Sequence, residues 1–326
     1  MDKSGVKVSS VDIEISEVGP RDGLQSIAPI MRTEDKKAWI TALAAAGVPE
    51  IEVGSFVPAK LLPQLADTAE IVEFAIAIPR LSVAVLVPNL RGARDALRVK
   101  PHKMTIPLSV SETHSLKNLR RTHAQVLDDV RAIREEIDAL PESQRPKFEG
   151  SLSTAFGCTI EGEVPQRKVL EMAEKLMAAG CDEVGLSDTT GFASPRQVRD
   201  YTRNIHSLLG REALTGIHLH NTRGQGFANV MAALEVGLTT VDASMGGIGG
   251  CPFAPGASGN IVTEDLVFLL ESMGLRTGIN FERLFEARRV LAAALPETEL
   301  YGFTPDAGLP KGFMTATPQS ASAVEA

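Results

Sequence analysis

The stretch "EVGLSDTTGFASPRQVRDYTRNIHSLLGREALTGIHLHN", residues 183–221, contains one whole repeat of an alternating pattern. It opens on a short β-rich run, EVGLSDT (183–189), and closes on a second, LTGIHLHN (214–221). The helical pattern between them has both ends marked. Ser194 stands at the cap, Pro195 in the first turn, where its missing N–H costs nothing, and Gly210 follows the last turn. A strand, a capped helix and another strand form a crossover that joins parallel neighbours.

Working outward from this unit, the same alternation fills the chain up to about residue 273. Further strands are expected at 12–18, 50–56, 81–87, 103–110, 148–156 and 240–245. "TEDKKAWITALAAAG" repeats the capped-helix logic, with Thr33 as a possible cap and Gly47 as the stop. Eight strand–helix units in one uninterrupted series predict a (β/α)8 TIM barrel of the α/β class. A doubly wound open sheet is the alternative, but it lacks its glycine-rich first turn here. The barrel is expected over residues 12–280 and a C-terminal extension over 281–326. That extension holds the short helical pattern "FERLFEARRVLAAALP" and the tail "TATPQSASAVEA", whose composition predicts disorder.

Composition limits the functional classes. The 33 basic and 41 acidic residues give a net charge of −8, which argues against a nucleic-acid binder with a basic face, so an anionic ligand must be held by a local cluster. The opening "MDKSGVKVSSVDIEIS" has no apolar run of signal-peptide length, and no segment has the roughly 18 apolar residues of a membrane span. A soluble cytoplasmic protein with no membrane partner is expected. Cys158, Cys181 and Cys251 are odd in number and far apart, which favours reduced thiols over a disulfide framework.

In a barrel the strands' C-terminal ends carry the chemistry, and the unusual residues of this chain gather there. In "HLHNTRGQGF" (218–227), His218 and His220 are two apart, so on a strand both rings face one side. They are either a metal-ligand pair or a hydrogen-bonded pair at a strand end. In "PRDGLQ", Asp22 reads as a turn residue or as the carboxylate that completes a mixed nitrogen and oxygen ligand set, with Arg21 then supplying a fixed positive charge. "GGIGGCPFAPGASGN" (246–260) reads as a flexible connection or as a lid carrying Cys251, itself either a buried thiol or a reactive one. Gln25, Ser55, Asn89 and Arg223, also at strand ends, are expected to contact substrate.

Together "EVGPRDGLQ", "HLHNTRGQ" and "GGIGGCPFAPGASGNIVTEDL" resemble the 3-hydroxy-3-methylglutaryl-CoA lyase family, a branch of the metal-dependent barrel lyases and condensing enzymes, over residues 12–280. The resemblance implies retro-Claisen cleavage of a 3-hydroxyacyl-CoA to acetyl-CoA and a keto acid, as in leucine catabolism and ketone-body formation. It implies Mg2+ or Mn2+ held by Asp22, His218, His220 and Asn260, with Arg21 stabilising the enolate and Cys251 protonating the departing carbanion. Glu52 and Asp188 become supporting carboxylates, acyl-CoA the substrate, and a homodimer the expected assembly. The chain departs from the family pattern at Ser26, Ile27 and Ala28 after Gln25, and at Ser151 and Arg223, where tyrosine is usual. These changes leave (R)-citramalyl-CoA, which would yield pyruvate, as an alternative substrate.

Three rival readings remain. A metal-dependent hydrolase would carry its histidine pair on strand one rather than strand seven, and His102, His114, His123 and His206 are poorly placed for a second metal, although His114 lies close enough to strand four to approach substrate. A condensing synthase would need a further domain, for which little chain remains after residue 280. A non-catalytic barrel has no need of Asp22, both histidines and Asn260 together.

Overall fold

The computed structural model describes residues 11–249 and 259–317. Eight strands pair in chain order and close into a barrel: β1 (Glu14–Glu17), β2 (Glu50–Ser55), β3 (Ser82–Leu86), β4 (Lys103–Ser109), β5 (Lys147–Ser153), β6 (Glu183–Asp188), β7 (Gly216–Leu219) and β8 (Thr240–Ala243). All eight pairings are parallel, including β8 with β1. Around them lie α1 (Thr33–Ala46), α2 (Thr68–Ala75), α3 (Leu90–Val99), α4 (Glu112–Asn118), α5 (His123–Asp138), α6 (Gln166–Ala179), α7 (Pro195–Leu209), α8 (Gly226–Glu235), α9 (Thr263–Ser272), α10 (Phe281–Ala294) and α11 (Phe303–Ala307). The expected TIM barrel is therefore the fold. Among the described residues no helix is long and apolar enough to cross a membrane.

Ser194 caps α7 as its sequence predicts: its side chain accepts from the Gln197 N–H while Gln197 reaches back to the Ser194 N–H. Thr33 is not a cap. It is the first residue of α1, after Arg32, and its hydroxyl donates to Asp67 at 2.8 Å. Gly47 ends α1 at φ 95°, and a Cβ there would meet the Gly278 carbonyl oxygen at 2.4 Å.

Strand alternation places the core. Met104, Ile106 and Leu108 of β4 are fully buried against the helices, while Lys103, Thr105 and Pro107 face the barrel axis. On β5, Phe148 and Leu152 point outward and Glu149 and Ser151 inward. The apolar core is thus the layer between sheet and helices. A barrel interior is usually filled by branched apolar side chains. Here polar and small residues leave a cavity of about 710 Å3 along the axis, from the strands' C-terminal ends down to Lys103, Lys147 and Glu183.

α10 packs along α1, burying Phe281, Leu284, Ala287 and Leu291, and the Arg283 guanidinium donates to the Ala45 carbonyl at 3.0 Å. The helical extension therefore covers part of the barrel wall. The tail expected to be disordered begins in order: the Thr317 N–H donates to Glu271 at 2.7 Å, which itself accepts from Thr277. The remainder of that tail lies outside the described residues.

Candidate active site

β1 runs directly into a single π-helical turn, Gly19–Gly23, on which Arg21 and Asp22 stand. Its glycines allow close approach. A Cβ on Gly23 would meet the Ile248 side chain at 2.7 Å, and one on Gly19 would meet Glu17 Oε1 at 2.5 Å. Glu17 ties this turn to both flanks of the segment between β8 and α9. It accepts from the Gly19 and Met245 N–H groups, each at 2.9 Å, and from the Thr263 hydroxyl at 2.6 Å. Burial pushes its carboxyl up to about 8.

The short β7 stops at Leu219, and His220 pairs with Asn260 in an isolated bridge, which brings the far end of the glycine-rich segment back to the histidines. Asp22, His218 and His220 form a cluster that can hold a metal ion. The two Nε2 atoms face each other at 3.1 Å, and Asp22 Oδ2 lies 3.9 Å from His218 Nε2 and 3.8 Å from His220 Nε2. His218 Nδ1 is 3.1 Å from Asp242 Oδ2, the carboxylate–imidazole pairing that turns Nε2 toward a ligand. Burial opposes charge on His218, but the bond to Asp242 and the Asp22 charge raise its pKa; His220, buried beside His218, falls to about 4.

Asn260 supplies the test of fit. Its amide N–H groups donate to Asp22 Oδ2 at 2.8 Å and to the Ile248 carbonyl at 3.1 Å, while its buried Oδ1 has no partner among the described residues. A buried acceptor left unpaired costs about 1–3 kcal/mol unless something bound satisfies it. One carboxylate, two imidazoles and an amide oxygen suit a divalent cation. The four residues expected as ligands thus come together.

Arg21 is held between two carboxylates. Its Nη1 lies 2.6 Å from Asp22 Oδ1, and its Nε lies 2.5 Å from Glu52 Oε2. Burial works against the guanidinium charge, but Glu52 and Asp22 more than restore it. Burial pushes Glu52 up to about 7 against the pull of Arg21. Gln25 lines the cavity and donates to Asp22 Oδ1 at 2.7 Å.

Other expected residues are placed elsewhere. Asp188 is buried behind the site, accepting from the Phe192 and Ala193 N–H groups, and burial pushes it up to about 6. Asn89 caps α3, accepting from the Gly92 N–H at 3.1 Å. Ser55 accepts from the Val57 N–H and lines a separate outer pocket with Asn89. Arg223 donates to the Thr190 and Gly191 carbonyls and stacks over Phe192, clamping the loop after β6. None of these four lines the central cavity. Cys251 lies outside the described residues.

Asp242, which lines the cavity 3.1 Å from His218 Nδ1, is not among the residues expected from the sequence. Period-two alternation along TVDA would have turned it inward beside Thr240. Ser151 and Ser187, which bond across β5 and β6 at 3.0 Å, and His114 also line the cavity.

A closed parallel barrel whose strand ends gather this donor set beside a fixed guanidinium defines a metal-dependent barrel enzyme. The chain belongs to the HMGL-like family, whose sequence model matches residues 12–291. Hydroxymethylglutaryl-CoA lyase YngG of Bacillus subtilis is 38% identical over 279 residues, 85% of this chain and 91% of that one. The mitochondrial hydroxymethylglutaryl-CoA lyase of Homo sapiens is 38% identical over 283 residues, 87% of this chain and 86% of its own length. The structure of an HMG-CoA lyase from Acinetobacter baumannii, in complex with coenzyme A and 3-methylmalate, superposes with a TM-score of 0.86 at 38% identity, covering 95% of this chain and 99% of that one. These relatives place the chain among the lyases.

Proposed function

We propose that the protein is a divalent-metal-dependent carbon–carbon lyase that cleaves hydroxymethylglutaryl-CoA to acetyl-CoA and acetoacetate. The observation that carries this reading is the convergence of Asp22, His218, His220 and the unpartnered Asn260 Oδ1 beside Arg21, at the mouth of a cavity of about 710 Å3. When bound, Mg2+ or Mn2+ supplies Lewis acidity to the oxygens of the substrate.

The residues of the chain do the rest. The substrate hydroxyl passes its proton to a water molecule of the open cavity, the C2–C3 bond breaks as the C3–O bond becomes a carbonyl, and the electron pair passes onto the thioester as an enolate. Arg21, fixed by Glu52 and Asp22, presents its charge to the thioester oxygen where that negative charge develops. Cys251 gives its proton to the enolate carbon, releasing acetyl-CoA, and its thiolate takes a proton back from solvent. Gly249, two residues before Cys251, supports this role: a Cβ there would meet Asn260 Nδ2 at 2.3 Å and Asp22 Oδ2 at 3.1 Å, so the entry to the cysteine segment lies against the ligand set. Lys117 and Arg120, exposed on the cavity rim, suit the phosphates of coenzyme A. Cytoplasmic location and a homodimer complete the proposal.

(R)-Citramalyl-CoA is the second reading, favoured by the hydroxyl pair Ser151–Ser187 on the cavity wall. The test is to incubate the purified protein with Mg2+ and a panel of 3-hydroxyacyl-CoA thioesters and to identify the keto acid released. Acetoacetate from hydroxymethylglutaryl-CoA, abolished by chelation and by Cys251→Ser, is the expected result. Pyruvate as the preferred product would move the assignment to citramalyl-CoA, and full turnover in metal-free protein would end the metal-dependent reading.

A further inference from the structure

Arg288, on α10 of the C-terminal extension, is largely buried, and its guanidinium spans three acceptors. Nη1 donates to Glu264 Oε1 at 2.7 Å and to the Tyr301 carbonyl at 2.9 Å, and Nη2 donates to the Leu300 carbonyl at 3.1 Å. Glu264, in the first turn of α9, is fully buried. Burial pushes its carboxyl up, against the pull of Arg288, and its other oxygen accepts from the Gly246 N–H at 3.1 Å. The Gly246 carbonyl in turn accepts from the Tyr301 N–H at 2.8 Å. Both backbone polar groups of this residue, just past β8, are therefore held by partners that Arg288 itself holds.

Gly246 opens the turn on which Asn260 rests. Gly246 and Gly247 redirect the chain at φ 66° and 63°. A Cβ on Gly246 would meet Leu300 Cδ2 at 2.9 Å, and one on Gly247 would lie 3.0 Å from Val262 Cγ2 and 3.4 Å from the Asn260 carbonyl oxygen. Before the turn, the Ser244 N–H donates to the Ile261 carbonyl at 3.0 Å. After it, the Ile248 carbonyl accepts from Asn260 Nδ2 at 3.1 Å, which fixes the orientation of the amide and with it the direction of Oδ1. The turn thus supports Asn260 through its backbone and its side chain, and Arg288 closes the ring of contacts on the outer side.

We propose that Arg288 is a positioning residue of the metal site: by holding Glu264 and the Leu300 and Tyr301 carbonyls together it fixes the Gly246–Ile248 turn, and the turn presents Asn260 Oδ1 to the divalent cation. This rests on the reading of Asp22, His218, His220 and Asn260 as ligands and deepens it. A ligand held in place before the ion arrives does not have to be ordered when it binds, and groups that hold ligands carry roughly 10–100-fold of metal affinity. The extension is then part of the site as well as of the barrel wall.

The test is Mn2+ titration of the full chain, with the free ion read from its EPR signal, across a double-mutant cycle. Arg288→Met is expected to weaken Mn2+ binding by about tenfold in the otherwise native chain, but by less than about twofold in the Asn260→Ala background, where the ligand it positions is already gone. Leu284→Ala, on the same helix but packed along α1, separates positioning from stability. It should lower the thermal midpoint at least as far as Arg288→Met while leaving Mn2+ affinity within about twofold of the native chain. Should Arg288→Met not fold, Arg288→Lys keeps a charge opposite Glu264 but loses the fork that spans two carbonyls, and about a threefold loss, again absent without Asn260, is expected. A loss of equal size in both backgrounds, a loss matched by Leu284→Ala, or no loss at all overturns the proposal. Failure of the ligand reading shows up separately, as a native chain that binds no Mn2+, and it would take the role of Arg288 with it.

Discussion

The two ends of the barrel interior bury charged groups to a similar degree and arrange them in opposite ways. At the base, Lys103 Nζ lies 2.6 Å from Glu149, 3.4 Å from Glu183 and 3.7 Å from Glu50, and Lys147 closes on Glu183 at 2.7 Å. Burial opposes the Lys103 charge, but these carboxylates hold its pKa well above the ordinary lysine value. At the mouth, Asn260 Oδ1 and His220 Nδ1 are buried without partners among the described residues. The base satisfies itself, whereas the mouth leaves polar atoms for something else to satisfy. Charge burial alone therefore does not mark a site; unsatisfied capacity in a cavity does.

The sharpest way to break this comparison is to remove a ligand at the mouth. Asp22→Ala and His218→Ala should each lower kcat/KM by at least about a thousandfold, some 4 kcal/mol of transition-state stabilisation, because they remove the Lewis acid together with its orientation. Their thermal midpoints should stay within a few degrees of wild type, since truncation relieves a crowded, desolvated cluster. Turnover within tenfold of wild type, measured after metal content is assayed, would show that the cluster is not the reaction centre.

The base should behave the other way. Lys103→Met leaves Glu149, Glu183 and Glu50 buried around an uncharged side chain, and losing one partner of a buried ion pair costs about 3–5 kcal/mol. Urea unfolding should show that loss, while kcat/KM per folded molecule stays within tenfold. Pairing it with Glu149→Leu should recover part of the stability, because the second change removes the stranded charge. A stability loss under 1 kcal/mol would mean that solvent in the cavity, rather than the lysine, carries the screening.

How far each region was legible in the sequence follows from where its partners lie. The barrel was legible because its signals are local: the Ser194 cap, Gly210 and the alternation of KMTIPLS each act within a few residues. Asp22, His218, His220 and Asn260 were legible because few other jobs bring those types to strand ends together. Lys103 at the start of a strand gives no hint of three carboxylates on other strands. Arg223 was read as a substrate cation because its carbonyl partners, Thr190 and Gly191, come from a different loop.

Asn89 tests the comparison at its smallest scale, since it stands at a strand end as the site residues do yet serves the fold. Its backbone is extended, at φ −173°, and its side chain accepts from the Gly92 N–H, where a Cβ would meet Pro88 Cδ at 2.7 Å. The start of α3 is thus fixed by a cap and a close approach together. Asn89→Ala should cost about 1 kcal/mol, the usual worth of an N-cap, with KM and kcat unchanged. Asn89→Asp, which keeps the acceptor oxygen, should recover most of that loss, whereas a substrate-binding amide would not be replaced by a carboxylate facing an anionic thioester. A rise in KM without loss of stability would instead return Asn89 to the site, and with it the view that every polar residue at these strand ends serves the chemistry.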